Sequence, residues 1–196
     1  MPVRPRPTQP ASVRKSVRVA GSAEAVESVR LLFREYRRWL LDHREVTTFD
    51  DSVMKVGMRY LDAEIATLPG IYGPPRGALL LALDGTTPVG CGALRELPGN
   101  LGEIKRVYVR PSSRGGGFGR RITQAVLERA RKLGYERVVL DTLPTMTSAI
   151  ALYRRMGFTP IPAYWDHPVT GALFFEHPLR RGPTPRPVRP SRKRRT

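Results

Sequence analysis

The stretch Glu103–Gly119, E-I-K-R-V-Y-V-R-P-S-S-R-G-G-G-F-G, decides how this chain folds. Its first half predicts a strand: Ile104, Val107 and Val109 are β-branched, Tyr108 is aromatic, and Pro111 closes the run. Three glycines follow, then Phe118-Gly119 and a helical pattern in which Ile122, Val126, Ala130 and Leu133 share one stripe. Gly134 stands where a helix ends in a left-handed residue. The unit therefore reads strand, glycine loop, helix.

A helix start leaves backbone N–H groups unpaired and carries the positive end of the macrodipole. Glycines remove the Cβ atoms that keep a diphosphate away from those N–H groups. Arg114, Arg120 and Arg121 add formal charge beside them. Two well-known cradles are excluded. No Gly-Lys-Ser/Thr occurs for a P-loop, and G-x-G-x-x-G fails because the sixth place after Gly117 and Gly119 is Ile122. What fits is R-x-x-G-x-G, from Arg114 through Gly117 to Gly119.

Working outward, 196 residues suffice for one domain with a core. The net charge of +17 is unevenly placed. Residues 1–18 hold Arg4, Arg6, Arg14, Lys15 and Arg18 without an acid; residues 180–196 hold seven arginines and Lys193, again without an acid. The rest is only mildly basic. Both ends are Pro-rich and poor in large apolar residues, so 1–16 and 180–196 are expected to be disordered tails around a domain at 17–179. They are either solvated ends or electrostatic tethers to nucleic acid, ribosome or an anionic membrane. Cys91 is the single cysteine, which excludes an internal disulfide and zinc-type spacing. His43, His167 and His177 form no i,i+4 pair, so no metal site is expected. Neither a signal-peptide core nor a membrane-length apolar run is evident, and a cytoplasmic protein is the expectation.

Elsewhere the pattern predicts a short strand at Val17–Val19 and a helix capped by Ser22. That helix carries Val26, Val29, Leu32, Phe33, Tyr36, Trp39 and Leu40 on one stripe. The Tyr36/Trp39 pair is core or the floor of a substrate cleft. A loop over 43–51 leads to a helix from Ser52 to Leu68, ended by Pro69-Gly70. Three strands follow, Ala78–Leu83, Val89–Leu94 and Glu103–Val109, forming an antiparallel meander with turns at Asp84-Gly85 and Pro98-Gly99-Asn100. After the central helix come a strand at Arg137–Asp141, a helix from Thr145 to Met156 closed by Gly157, and strands at Phe158–Ile161 and Leu173–Glu176.

The glycine loop in this setting resembles the acetyl-CoA-binding motif of the GNAT superfamily of N-acetyltransferases, [QR]-x-x-G-x-[GA]. Ala149, Tyr153, Gly157 and Phe158 resemble the family's second signature, N-x-x-A-x-x-x-Y-x-x-x-G-F, with Met146 standing where the Asn is usual. D-T-L-P and G-A-L-F-F-E are similar to a bacterial branch of the superfamily whose acceptors are mostly unassigned. The resemblance covers about 17–179 and implies an α/β fold: a central mixed sheet with helices on both faces and splayed strands that hold the cofactor. It implies an acyltransferase that moves an acetyl group from acetyl-CoA to a primary amine by direct attack in a ternary complex, releasing coenzyme A. The acceptor is a small-molecule or protein amine, and the chain a monomer or homodimer. The cofactor site it implies is Val107, Tyr108 and Val109 for the pantetheine arm and Arg114, Gly115, Gly116, Gly117, Phe118, Gly119 and Arg120 for the diphosphate. One backbone N–H of that strand would act as oxyanion donor.

The same resemblance places a general base at Glu103 and a general acid at Tyr153. An amine of pKa ~10 must lose a proton, and a carboxylate near ~4.3 serves only if burial raises it or a water relays the proton. The alternative for Glu103 is a solvent-facing strand residue paired with Lys105 or Arg106. For Tyr153 it is a buried aromatic. Cys91 reads as a packed thiol. The Tyr164-Trp165-Asp166-His167 loop either gates the acceptor or is a turn before Pro168. A binding-module reading, with catalysis lost and basic tails engaging nucleic acid or ribosome, is the competing function.

Overall fold

A computed structural model describes residues 15–43, 51–167, 169 and 171–179. The tail readings, apart from Lys15 and Ser16, and most of the 43–51 loop lie outside the described residues. Strand β1 is Lys15–Val19, followed by helices α1 (Ala23–Asp42) and α2 (Asp51–Thr67). Strands β2 (Ala78–Asp84), β3 (Thr87–Leu97) and β4 (Leu101–Val109) form the meander. Helix α3 (Phe118–Lys132), strand β5 (Arg137–Thr142), helix α4 (Thr147–Arg155) and strands β6 (Thr159–Ile161) and β7 (Leu173–Pro178) complete the chain. The predicted order holds, and boundaries move by one to three residues, the most at the end of β3, which runs to Leu97 rather than Leu94. Helix α4 starts at Thr147 rather than Thr145 because Met146 N–H donates to Leu143 in a turn before it (3.0 Å).

The seven strands form one mixed sheet in the order β1-β2-β3-β4-β5-β7-β6. Neighbours pair antiparallel except β4 and β5, which α3 joins as a parallel crossover. Alternation in β2 and β3 sends Leu79, Leu81, Cys91 and Ala93 to one face, where α1 and α2 supply Val29, Leu32, Phe33, Leu61 and Ile65. It sends Ala78, Leu80 and Leu94 to the other, against Val126, Leu127 and Ala130 of α3 and Ile150 of α4. Helices thus cover both faces, as the motif resemblance implies. Ser22 caps α1 as expected, accepting from Ala25 N–H at 3.2 Å.

Two departures from regularity place the site. Pairing of β4 with β5 covers only Leu101–Glu103 against Arg137–Val139. Beyond Glu103, β5 runs on with β7 on its other side, and β4 continues to Val109 with no strand of the described residues there. The second departure is a bulge. Cys91 pairs with Tyr108 but Ala93 pairs with Lys105, so Arg106 and Val107 together face Gly92. One extra residue inverts the facing of every later side chain on β4. Glu103 and Lys105 lie on the α1/α2 side of the sheet, and after the bulge Tyr108 lies there too, packed on Tyr36 with ring centroids 5.6 Å apart. Gly92 is required at the bulge, since a Cβ there would meet Ile122 Cγ2 at 2.5 Å.

Candidate active site

The glycine loop is built as the sequence predicts. Pro111–Ser113 makes one 3-10 turn, and Gly116 N–H closes on Ser113 O (3.3 Å). Gly117 is the N-cap of α3, at φ 82° and with no side chain capping the helix. The left-handed conformation is one that glycine adopts without strain. The first-turn amides of Phe118, Gly119 and Arg120 have no helical acceptor, as at any helix start. Gly115, Gly117, Arg114 and Arg120 are at least partly exposed, and an added Cβ at Gly115 or Gly117 would meet no atom of the described residues within 4 Å. An uncapped, open helix start flanked by arginines is the donor set that suits a diphosphate. Phe118 points inward and is buried. One contributor was not legible: Lys15, read as tail, sits 3.1 Å from Gly116 O and over the Phe118 ring.

The β4 residues expected to hold the arm lie on the splayed edge. Arg110 N–H donates to Val89 O (2.9 Å), so the neighbouring N–H and C=O of Val109 point away from β3, toward the splay. There Val109 O accepts from Arg114 Nε at 3.2 Å. The Arg114 guanidinium lies 4.8 Å from the Trp39 ring, which stacks on Tyr36 and His43. Trp39 and Tyr36 are half-buried and pack against the α1-side core.

Glu103 is fully buried. Arg95 from β3 pairs with its Oε2, the Tyr164 hydroxyl donates to Oε1 at 2.7 Å, and Lys105 Nζ is 3.6 Å away. The reading of Glu103 as solvent-facing is therefore corrected, and so is half of its proposed pairing. Arg106 pairs with Glu64 of α2 instead. Asp141, at the end of β5, joins the same cluster. Its Oδ1 accepts from Lys105 (2.7 Å) and lies 3.4 Å from the Tyr164 hydroxyl, and its Oδ2 lies 3.5 Å from His167 Nε2. Burial raises the Asp141 carboxyl, but His167 and Lys105 outweigh it and hold it well below the usual carboxylate range. Val169 N–H donates to His167 Nδ1 (3.0 Å), which leaves Nε2 to face Asp141. Burial first, then the charges of Glu103 and Asp141, push the Tyr164 phenol far up, so it keeps its proton. Tyr164 and His167 thus face the sheet, while Trp165 is exposed beside Lys105.

Tyr153 is buried on α4 against Phe158. Burial pushes its phenol up, and Tyr36 and Asp141 add to the push across the splay. A phenol at ~10 already lies above a thiol at ~8.5, so complete transfer to a thiolate is uphill. Burial steepens that slope and leaves a hydrogen-bond donor. Met146, in the family's Asn position, is the N-cap of α4 and packs on the α1-side core. Cys91 is buried, its thiol pushed up by desolvation, 3.8 Å from Arg106 O. Among the described residues no helix is long and apolar enough to cross a membrane, and no three His, Cys, Asp or Glu side chains gather for a metal.

Comparison with known proteins agrees with this geometry. The family model described as Acetyltransferase (GNAT) family matches residues 29–158. A Schizosaccharomyces pombe protein named as an uncharacterized N-acetyltransferase is 37% identical over 123 residues, 62% of this chain and 76% of its own. The amino-acid acetyltransferase of Mycobacterium tuberculosis is 31% identical over 168 residues, 86% of this chain and 80% of its own. In fold, the PaiA N-acetyltransferase of Thermoplasma acidophilum, solved with coenzyme A, superposes with TM-score 0.64 at 15% identity, over 84% of this chain and 99% of that one. The matched span runs from α1 through the glycine loop to Phe158, and on that ground the chain belongs to the GNAT acetyltransferase family.

Proposed function

We propose that the protein is an acetyl-CoA-dependent N-acetyltransferase acting by direct attack of a primary amine. The observation that carries this is the pairing of an uncapped glycine loop with a β4 edge left open beyond Glu103. The backbone N–H groups of Gly115 to Arg120, with the Arg114 side chain, would hold the diphosphate. The open edge at Val107, Tyr108 and Val109 would receive the pantetheine arm as an added strand. Bound there, acetyl-CoA supplies the activated acyl carbon. Tyr108 is buried, which fits a role for its backbone rather than its ring.

Glu103 takes the amine's proton through a relay, because no part of it reaches solvent. The Tyr164 hydroxyl, already donating to Oε1, is the first link. Tyr153 donates a hydrogen bond to the departing sulfur. The carboxylates of Glu103, Asp141, Glu64 and Glu35 are engaged by Arg95, Lys105, Arg106 and Arg110 respectively. That balance disfavours polycationic acceptors and fits small amines. The name of the mycobacterial relative adds amino acids to the classes worth testing. The basic tails on which a nucleic-acid-binding reading relies lie outside the described residues.

Glu103→Gln and Tyr153→Phe test the roles. Each is expected to lower kcat by about 10²-fold while acetyl-CoA binding, read by calorimetry, is kept. Full turnover by both variants across pH would remove both residues from the chemistry.

A further inference from the structure

One buried ion pair at the splay has no part in the chemistry above. Arg106 is the bulge residue and, with Asn100, one of two described non-glycine residues at positive φ (57°). Asn100 occupies a turn, where its side chain donates to Gly134 O. Arg106 sits inside a strand, where a left-handed side chain costs roughly 1–2 kcal/mol. Something must hold it there. Its guanidinium meets Glu64 of α2 with two parallel bonds, Nε to Oε2 at 2.8 Å and Nη2 to Oε1 at 2.9 Å. The Tyr72 hydroxyl, from the 3-10 turn Gly70–Tyr72, donates to the same Oε2 at 2.8 Å. Glu64 and Arg106 are each less than one-fifth exposed, and Tyr72 is 1% exposed. A bidentate, largely desolvated pair is rigid and directional. It ties the bulge to a helix residue 42 positions away in sequence.

The bulge lies within the length of β4 that β5 leaves uncovered. We propose that Glu64 and Tyr72 act through Arg106 as positioning residues: the clamp fixes the bulge so that β4 presents a backbone N–H to the thioester carbonyl. This rests on the cofactor reading above. Without the clamp, backbone from Arg106 to Val109 relaxes toward regular pairing and the donor turns away. The diphosphate loop is built separately, by Pro111–Gly117, and keeps its hold. The signature is therefore selective. Affinity for the acylated cofactor falls, and affinity for the free thiol, which has no carbonyl to meet, does not.

The test titrates the full chain with coenzyme A and with acetyl-CoA by calorimetry, for wild type, Arg106→Gly, Arg106→Lys and Tyr72→Phe. Glycine is at ease at this φ, so Arg106→Gly removes the clamp without adding strain. Expected for Arg106→Gly is about a tenfold greater loss for acetyl-CoA than for coenzyme A, the worth of one hydrogen bond. Tyr72→Phe, which keeps the ion pair, should show a smaller loss in the same direction. Arg106→Lys cannot make the forked bond and should fall between wild type and glycine. Equal losses for both ligands in Arg106→Gly, or none, would overturn the clamp and leave the cofactor reading intact. A wild-type chain that binds neither thiol overturns the cofactor reading, and the clamp with it.

Discussion

Gly117→Val is expected to weaken binding of coenzyme A and acetyl-CoA by about a hundredfold or more, roughly 2.7 kcal/mol. Gly117 holds φ 82° as the N-cap of α3. A β-branched residue is a genuine outlier in that region, so the loop must change its path to accept one. Any new path moves the first-turn amides that would meet the diphosphate. The added side chain also enters space that is open in the loop as built. Gly134, at φ 79° just beyond the other end of the same helix and equally open, provides a matched control. Gly134→Val should cost comparable stability and leave binding unchanged. Equal binding by Gly117→Val and wild type would mean that the loop does not hold the cofactor.

Glu103→Ala should destabilise the fold by about 3 kcal/mol, lowering Tm by roughly 10 °C for a domain of this size. The carboxylate is fully buried and serves Arg95, Tyr164 and Lys105 together. Removing it takes the main acceptor from the Tyr164 hydroxyl and the ion-pair partner from Arg95, while Lys105 keeps Asp141. Arg95 is about one-third exposed and can rehydrate, which keeps the cost at the lower end for a broken buried pair. Glu103→Gln retains an oxygen for Tyr164 and should cost less. For that reason the glutamine variant, and not alanine, reports on catalysis. Urea unfolding checks the order alanine, glutamine, wild type. A Glu103→Ala variant within about 0.5 kcal/mol of wild type would mean the carboxylate is not the hub of this cluster.

The strand, loop and helix at Glu103–Lys132 were legible because each piece carries a local signal: β-branched residues, a glycine run, a helical stripe. The splay and the bulge were not. In I-K-R-V-Y nothing separates Arg106 from its neighbours, since arginine has no preference for positive φ. The partner that its side chain meets there is Glu64, forty-two residues earlier in the chain. The burial of Glu103 was hidden for the same reason. Arg95 is eight residues back on the neighbouring strand, but Tyr164 comes from 61 residues on, and a carboxylate alternating with Lys105 looks like a solvent-facing pair until both are placed. Tyr164 itself carried only the weak signal of an aromatic cluster before a proline. Lys15 gave none at all, being one of many cations in a basic stretch.

The central claim is that the glycine loop and the open β4 edge together hold an acyl-CoA. Isothermal titration of the full-length chain with acetyl-CoA and with coenzyme A tests it most directly. The account predicts one-to-one binding of both at micromolar affinity or better, reduced by salt because the diphosphate meets arginines and helix-start amides. No heat of binding with either ligand, and no competition between them, would contradict it.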